Sequence, residues 1–210
     1  MKWKKIGKIF DFYTSDFCDG YVGFAQGPQA LVNDDYVRIY FSTRKLSDNG
    51  KYISYIQYID MCKNFKNVLK RSSHDVIKLG DLGTFDEHGI FPLNILKMQN
   101  EVWAYSNGWN RRMSVSVDTA IGLSISKDNG QTFCKYGTGP VLGPSLNEPY
   151  LVCDPFVQVF DNIFHMWYIY GTSWTIPKNG LSPDRRNHES FARCGEETLS
   201  KGCLETQGLF

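Results

Sequence analysis

GPQALVNDDYVRIYFSTR, from Gly27 to Arg44, is the first of three segments that share one pattern, and this pattern decides the fold. The other two are FPLNILKMQNEVWAYSNGW from Phe91 and DPFVQVFDNIFHMWYIYGTSW from Asp154. Each has a proline near its start, a short apolar strand, a polar turn and a second, aromatic strand. The prolines Pro28, Pro92 and Pro155 are 64 and 63 residues apart, and Tyr40, Tyr105 and Tyr168 follow them by 12, 13 and 13 residues. Such self-similarity indicates a repeat architecture.

A further strand follows in two of the units, as KYISYIQYID from Lys51 and TAIGLSISKDNGQTF from Thr119. Three to four antiparallel strands in a unit of about sixty residues are typical of a propeller blade. The sequence therefore predicts an all-β fold, an incomplete β-propeller of about three blades. A two-sheet sandwich is the main alternative.

The segment SISKDNGQTF, from Ser124 to Phe133, matches the pattern S-x-D-x-G-x-T-[W/F], which is called the Asp-box. Asp128 can accept hydrogen bonds from backbone amides of its own turn, and Gly130 can supply the left-handed conformation that such a turn needs. We interpret this motif as a folding element between outer strands of a blade, and Asp128 as a non-catalytic residue.

The repeat does not continue to the end of the chain, since a fourth proline would fall near position 218 of a chain of 210 residues. We expect a partial propeller over residues 1–183. The segment 184–210 has neither alternation nor an aromatic strand, so we expect either a weakly ordered or helical tail, or an interruption of a longer gene. An open propeller would expose strand edges, which favours self-association.

Composition narrows the class of partners. The net charge is +1, which argues against nucleic acid or an anionic membrane as the main partner. No secretory signal and no apolar stretch of membrane-spanning length is visible. The six cysteines are scattered, which favours reduced thiols, a cytoplasmic location and no zinc site. No metal or organic cofactor is expected.

Candidate site residues come from the propeller geometry, in which the innermost strands line a central channel. If the proline-led strands are innermost, the residues before each proline gather at one mouth. The catalytic candidates are Asp86, which is the first choice, and Glu148 or Asp154 as its partner, because carboxylates on different blades suit acid/base sugar chemistry. The substrate-binding candidates are Gln26, Arg44, Glu87, His88, Trp109, Asn110, Arg111 and Trp174. Turn capping, proline contacts, core packing or ordinary hydrogen bonding could account for each of these residues instead.

The stretches GTFDEHGIFP, EVWAYSNGWNRRMSVSVDTAIGLSISKDNGQTF and NEPYLVCDPFVQVFDNIFHMWYIYGTSW resemble an uncharacterised bacterial family of glycosidase-like, five-bladed propellers. That family is similar to the superfamily of arabinanases, xylosidases, fructosidases and mannoside phosphorylases. The resemblance covers roughly Tyr21 to Pro183 and implies a glycan or activated sugar as substrate, with a link to surface polysaccharide metabolism. It also implies three acids on the first three blades, whereas this chain has Gln26 where an Asp is expected.

Three functional hypotheses follow. The first is a glycosidase, or a phosphorylase, that uses paired carboxylates. The second is a carbohydrate-binding or interaction propeller without turnover, which Gln26 favours. The third is an inactive gene remnant. A sialidase is a weaker hypothesis, because the arginines do not recur at equivalent positions of the repeat.

Overall fold

The computed structural model describes residues 2–14, 20–175, 191–194 and 204–206. Apart from one 3-10 turn at Phe12–Thr14, the regular elements among these residues are strands. They are β1 (Gln26–Val32), β2 (Tyr36–Leu46), β3 (Tyr52–Cys62), β4 (Val68–Arg71), β5 (Gly89–Lys97), β6 (Val102–Arg111), β7 (Val117–Ser126), β8 (Cys134–Lys135), β9 (Val152–Phe160), β10 (Ile163–Thr175), β11 (Phe191–Cys194) and β12 (Leu204–Thr206).

The strands form three consecutive blades. Blade 1 contains β1 to β4 and blade 2 contains β5 to β8, each as an antiparallel meander in chain order. In blade 3, β9 pairs with β10, and β10 also pairs with β11 and β12. A single parallel bridge from Ser54 to Gly89 links blades 1 and 2. The sequence repeat thus corresponds to one blade, and the fold is an incomplete β-propeller, as predicted.

The proline-led strands are the innermost ones. β5 packs between β1 and β9. The Asn94 side chain of β5 accepts a hydrogen bond of 3.0 Å from the Val157 amide of β9. A Cβ placed on Gly27 of β1 would lie 3.0 Å from the Cβ of Pro92 on β5. β1 and β5 run in the same direction, because β1 is antiparallel to β2, β2 is antiparallel to β3, and β3 is parallel to β5. They therefore begin at the same end of the innermost layer, which we call the mouth.

Each innermost strand carries a bulge at its proline. The ladder register shifts between Gln26 and Gln29 in β1, and between Ile90 and Leu93 in β5. In β9 the shift lies opposite Tyr168, between the partners of Trp167 and Ile169. Bulges of this kind redirect side chains and are common beside active sites. The repeat therefore places one redirected segment in each blade.

Two apolar clusters join the blades. The cluster between blades 1 and 2 contains Tyr40 and Ile56 of blade 1 and Leu93 of blade 2, all buried. The cluster between blades 2 and 3 is built around buried Tyr105 and Val157. A third cluster covers the other face of blade 1, where Phe10, Phe12, Phe41, Ile59 and Met61 pack together. The amino-terminal segment therefore closes this face of blade 1.

The predicted Asp-box forms a turn that contacts blade 1. Asp128 accepts hydrogen bonds of 2.9 and 3.0 Å from the amides of Gln131 and Thr132. Burial alone would raise the pKa of Asp128, but hydrogen bonds from its own turn outweigh that effect and lower it. The Gly130 carbonyl accepts a hydrogen bond of 2.7 Å from the Tyr40 hydroxyl, and the positive φ of 77° at this position suits glycine.

The predicted tail at 184–210 lies mostly outside the described residues. The described parts of it are β11 and β12, and both pair with β10. Within the portion of the chain that the structure describes, no helix has the length and apolar character needed to cross a bilayer.

Candidate functional site

The mouth of the channel is lined on blade 1 by an arginine held among aromatic rings. The Arg44 side chain reaches the start of β1, where its guanidinium donates a hydrogen bond of 3.2 Å to the Gln26 side-chain carbonyl. The Arg44 Cζ atom lies 4.8 Å from the centre of the Phe24 ring and 5.8 Å from that of Tyr52. These distances correspond to cation–π contacts. Two of the predicted binding residues, Gln26 and Arg44, therefore contact each other.

A second cluster lies beside it on blade 2. The His88 and Trp109 rings stack with their centres 6.0 Å apart. Arg111 places its Cζ 4.9 Å from the centre of the Trp109 ring, and its amide donates 3.4 Å to His88 Nδ1. Its guanidinium donates to the Tyr52 carbonyl on blade 1. Tyr52 therefore joins the two clusters into one continuous rim.

Burial lowers the pKa values of two residues of this rim. The pKa of His88 is lowered mainly by burial and further by the positive charge of Arg111. The pKa of Arg111 is also lowered by burial, while the nearby charge of Glu87 opposes that shift. Glu87 Oε1 lies 3.8 Å from His88 Nε2, and Glu87 Oε2 accepts a hydrogen bond of 2.8 Å from the Gly83 amide. Burial and the charge of Arg111 thus favour the neutral form of the His88 ring.

Asp86 lies beneath this rim. It is only 1% exposed, and its carboxylate pairs with Lys135 of β8. The Thr84 hydroxyl donates a hydrogen bond of 3.2 Å to the other Asp86 oxygen. The Phe85 ring packs against Gly108, where a side chain would clash with it. These contacts hold the loop 80–88 on blade 2. The prediction that Asp86 is catalytic stays a prediction, and its carboxylate is held by protein groups.

Asn110 contacts the same loop, since its Nδ2 atom donates 3.2 Å to the Thr84 carbonyl. The Asn110 Oδ1 atom is buried and has no hydrogen-bond partner among the described residues.

The other two predicted acids belong to blade 3. Both oxygens of Glu148 lie within reach of the Tyr168 hydroxyl, at 2.9 and 3.1 Å. Burial is the main cause that raises the pKa of Tyr168 to about 12, and the bond to Glu148 adds to it. Asp154 occupies the bulge of β9, opposite Tyr168, with a positive φ of 53°. Its side chain is exposed, yet the protein atoms around the carboxyl desolvate it in part and raise its pKa.

The structure thus sorts the predicted residues into groups. The rim group is Gln26, Arg44, Glu87, His88, Trp109 and Arg111. On blade 3, Glu148 is hydrogen-bonded to Tyr168, and Asp154 lies in the β9 bulge opposite Tyr168. Asp86 contacts Lys135 instead of the blade 3 acids among the described interactions. Trp174 is half-buried near the end of β10, opposite Ala192 of β11.

Sequence reasoning missed three participants: Phe24, Tyr52 and Lys135. Tyr52 lies within the recognised strand KYISYIQYID, so its position on a blade was predictable, but its role as a bridge to Arg111 was not. Phe24 and Lys135 lie outside the proline-led pattern and left no signal in the repeat. Residues 2–14, 20–175 and the two short carboxy-terminal strands contain no group of three His, Cys, Asp or Glu side chains suited to a metal ion.

Comparison with known proteins places the chain beside glycoside hydrolases in fold. No protein-family model matches it. Two uncharacterised proteins of Mycobacterium tuberculosis, from strains CDC 1551 and H37Rv, are each 27% identical over 179 residues, or 83% of this chain and 56% of theirs. The chain therefore spans little more than half the length of these relatives.

Solved structures of glycoside hydrolases have a similar fold at lower sequence identity. A thermostable family-43 glycoside hydrolase has a TM-score of 0.56 at 14% identity, covering 70% of this chain and 48% of the other. A structure named glycoside hydrolase has a TM-score of 0.51 at 10% identity, covering 80% and 51%. Sucrose-6-phosphate hydrolase from Lactobacillus gasseri has a TM-score of 0.50 at 12% identity, covering 70% and 32%. The chain thus has the fold of the glycosidase-like β-propellers, of which it forms three blades.

Proposed function

We propose that the protein is glycoside hydrolase-like and takes a carbohydrate at the mouth of its channel. The observation that supports the proposal is that β1, β5 and β9 each carry a register shift at their proline, with an aromatic rim beside the first two shifts and Asp154 within the third. Rings such as Trp109 offer flat apolar faces for a sugar, and hydrogen-bonding side chains beside them suit its hydroxyl groups.

The proposed chemistry assigns different tasks to the two acids of blade 3. Asp154, whose pKa is raised, is suited to give a proton to the leaving oxygen of a glycosidic bond. Glu148, already hydrogen-bonded to Tyr168, is suited to act as the carboxylate partner. Paired carboxylates on opposite sides of the scissile bond are the usual requirement of glycoside hydrolysis. Asp86 remains a catalytic candidate from the sequence, but its pairing with Lys135 better suits it to anchor the loop 80–88.

A binding protein without turnover is the second candidate, and Gln26 favours it. This residue starts the innermost strand of blade 1, and its side-chain carbonyl accepts from Arg44. An amide cannot exchange a proton as a carboxyl group does, so blade 1 contributes a hydrogen-bonding group and no acid.

The test is to measure both turnover and binding on the same protein. The purified chain is incubated with a panel of neutral and acidic polysaccharides, and reducing ends and bound ligand are quantified. Asp154→Asn and Glu148→Gln are compared with the control Asp48→Asn, which alters an exposed acid in the turn between β2 and β3.

Loss of activity by at least a hundredfold in Asp154→Asn, with binding retained and the control unaffected, supports a hydrolase. Binding without any release of reducing ends identifies the non-catalytic alternative. If no carbohydrate in the panel binds, the proposed function is wrong.

A further inference from the structure

Two arginines from different blades meet at the rim. Arg44 of β2 and Arg111 of β6 are both half-buried, and both contact Tyr52. Arg44 faces the ring of Tyr52, whereas Arg111 donates to its backbone carbonyl. Two guanidinium groups thus contact one residue, the first through its ring and the second through its backbone carbonyl.

Neither of these arginines forms an ion pair with a carboxylate among the described residues. Arg38 and Arg112, by contrast, pair with Asp60 and Asp118. The described hydrogen-bond acceptors of the rim arginines are neutral: the Gln26 side-chain amide for Arg44 and the Tyr52 backbone carbonyl for Arg111. Glu87 is the nearby acid, but one of its oxygens is already bonded to the Gly83 amide and the other faces His88.

Partial burial of a charged guanidinium is costly. Burial is the main cause that lowers the pKa of Arg111, and the nearby charge of Glu87 only partly opposes it. An anion at the rim would offset the cost. Each guanidinium has five N–H donors, of which the described hydrogen bonds occupy few, so both retain donors for a fork of two oxygens.

The surroundings indicate which kind of anion fits. Phe24, Tyr52 and Trp109 lie against the two arginines, so the site joins apolar ring faces to positive charge. A sugar that bears an oxyanion matches both parts, because its ring can lie on an aromatic face while its charge meets a guanidinium.

We propose that Arg44 and Arg111 recognise an anionic sugar, in which a carboxylate or a phosphate ester supplies the oxyanion. This inference rests on the proposed carbohydrate function and names its substrate class. The two sources of the charge share the same fork of oxygen atoms, and they are separated by experiment.

The experiment is calorimetric titration of the full chain with three probes: methyl β-D-glucuronide, glucose 6-phosphate and methyl β-D-glucoside. We expect one of the charged probes to bind at least about tenfold more tightly than the neutral one, because hydrogen bonds to charged groups are roughly twice as strong as neutral ones. The tighter of the two charged probes identifies carboxylate or phosphate as the source. Added salt is expected to reduce the difference.

Variants link the preference to the two residues. Arg44→Gln and Arg111→Gln are expected to lose the preference for charge, whereas Arg44→Lys keeps part of it because the charge is retained without the planar fork. Arg112→Gln is the matched control, since Arg112 is the chain neighbour of Arg111 but is exposed and paired with Asp118. Circular dichroism verifies the fold of each variant.

Equal binding of charged and neutral probes, or an unchanged preference in both Gln variants, overturns the inference and leaves the carbohydrate function standing. If none of the three probes and none of the polysaccharides binds, both the inference and the proposed function are wrong.

Discussion

Replacing Lys135 by Met is expected to destabilise the protein far more than the position of this residue in a two-residue strand suggests. Lys135 is the cationic partner of Asp86, whose side chain is only 2% exposed. The substitution retains most of the aliphatic stem but leaves a carboxylate in the interior with the Thr84 hydroxyl as its remaining described side-chain partner. The loop 80–88 would then lose its charged anchor.

The size of the effect follows from burial. Removing one partner of a buried ion pair costs about 3–5 kcal/mol. The Lys135 side chain is itself 23% exposed, so water can partly replace it. We therefore expect a loss near the lower end, about 3 kcal/mol. With a urea m-value of about 2 kcal/mol/M, the unfolding midpoint would fall by about 1.5 M.

The assay is urea unfolding followed by tryptophan fluorescence, in a double-mutant cycle with Asp86→Asn. In the Asp86→Asn background the carboxylate is absent, so Lys135→Met should cost less than about 1 kcal/mol. Lys127→Met is the control, because the Lys127 side chain is 83% exposed and lies 4.0 Å from Glu101. Its effect should stay within about 0.5 kcal/mol. An equal loss from Lys135→Met in both backgrounds would refute the reasoning.

Three further predictions concern the turn, the bulge and the rim. Gly130→Ala should lower the free energy of unfolding in urea by more than about 1 kcal/mol, because φ is 77° and a Cβ would lie 2.0 Å from the Tyr40 hydroxyl. Gly137→Ala is the control and should be nearly neutral, since a Cβ there meets nothing within 4 Å. Asp154→Asn should stabilise the protein at pH 7, because a carboxyl group whose pKa is raised by burial destabilises the folded state once it is ionised. In thermal unfolding this gain in stability should vanish at a pH below the ordinary Asp pKa, and a gain that persists there contradicts the assignment. His88 should titrate below its ordinary pKa of 6.5 when followed by NMR of its ring protons, and Arg111→Gln should raise that pKa, because it removes a nearby positive charge.

Much of the fold could be predicted from the sequence because its signals are local. A proline, a polar turn and an aromatic strand recur at intervals of 64 and 63 residues, and each recurrence became one blade. Hydrogen bonding between neighbouring strands of a meander needs only short turns, which leave a clear mark in composition. The sequence left open whether the proline-led strands are innermost, and in the structure β5 contacts both β1 and β9.

The surroundings of the site could not be predicted in the same way. Asp86 and Glu148 looked alike in the sequence as acids near a proline-led strand. The structure buries the first under Lys135 of an outer strand and leaves the second half-exposed against Tyr168. The charge state and accessibility of a carboxylate depend on neighbours that are distant in the chain, and no local pattern records them.

The sequence by itself determined the repeating unit and the antiparallel strands within a blade, because alternation and turn chemistry act over a few residues. Only the tertiary structure decided that Arg44 and Arg111 meet at Tyr52, that Asp86 is paired with Lys135 and that Asp154 occupies a bulge with positive φ. Those outcomes arise from packing between blades, where the fit of side chains across an interface sets distance and burial.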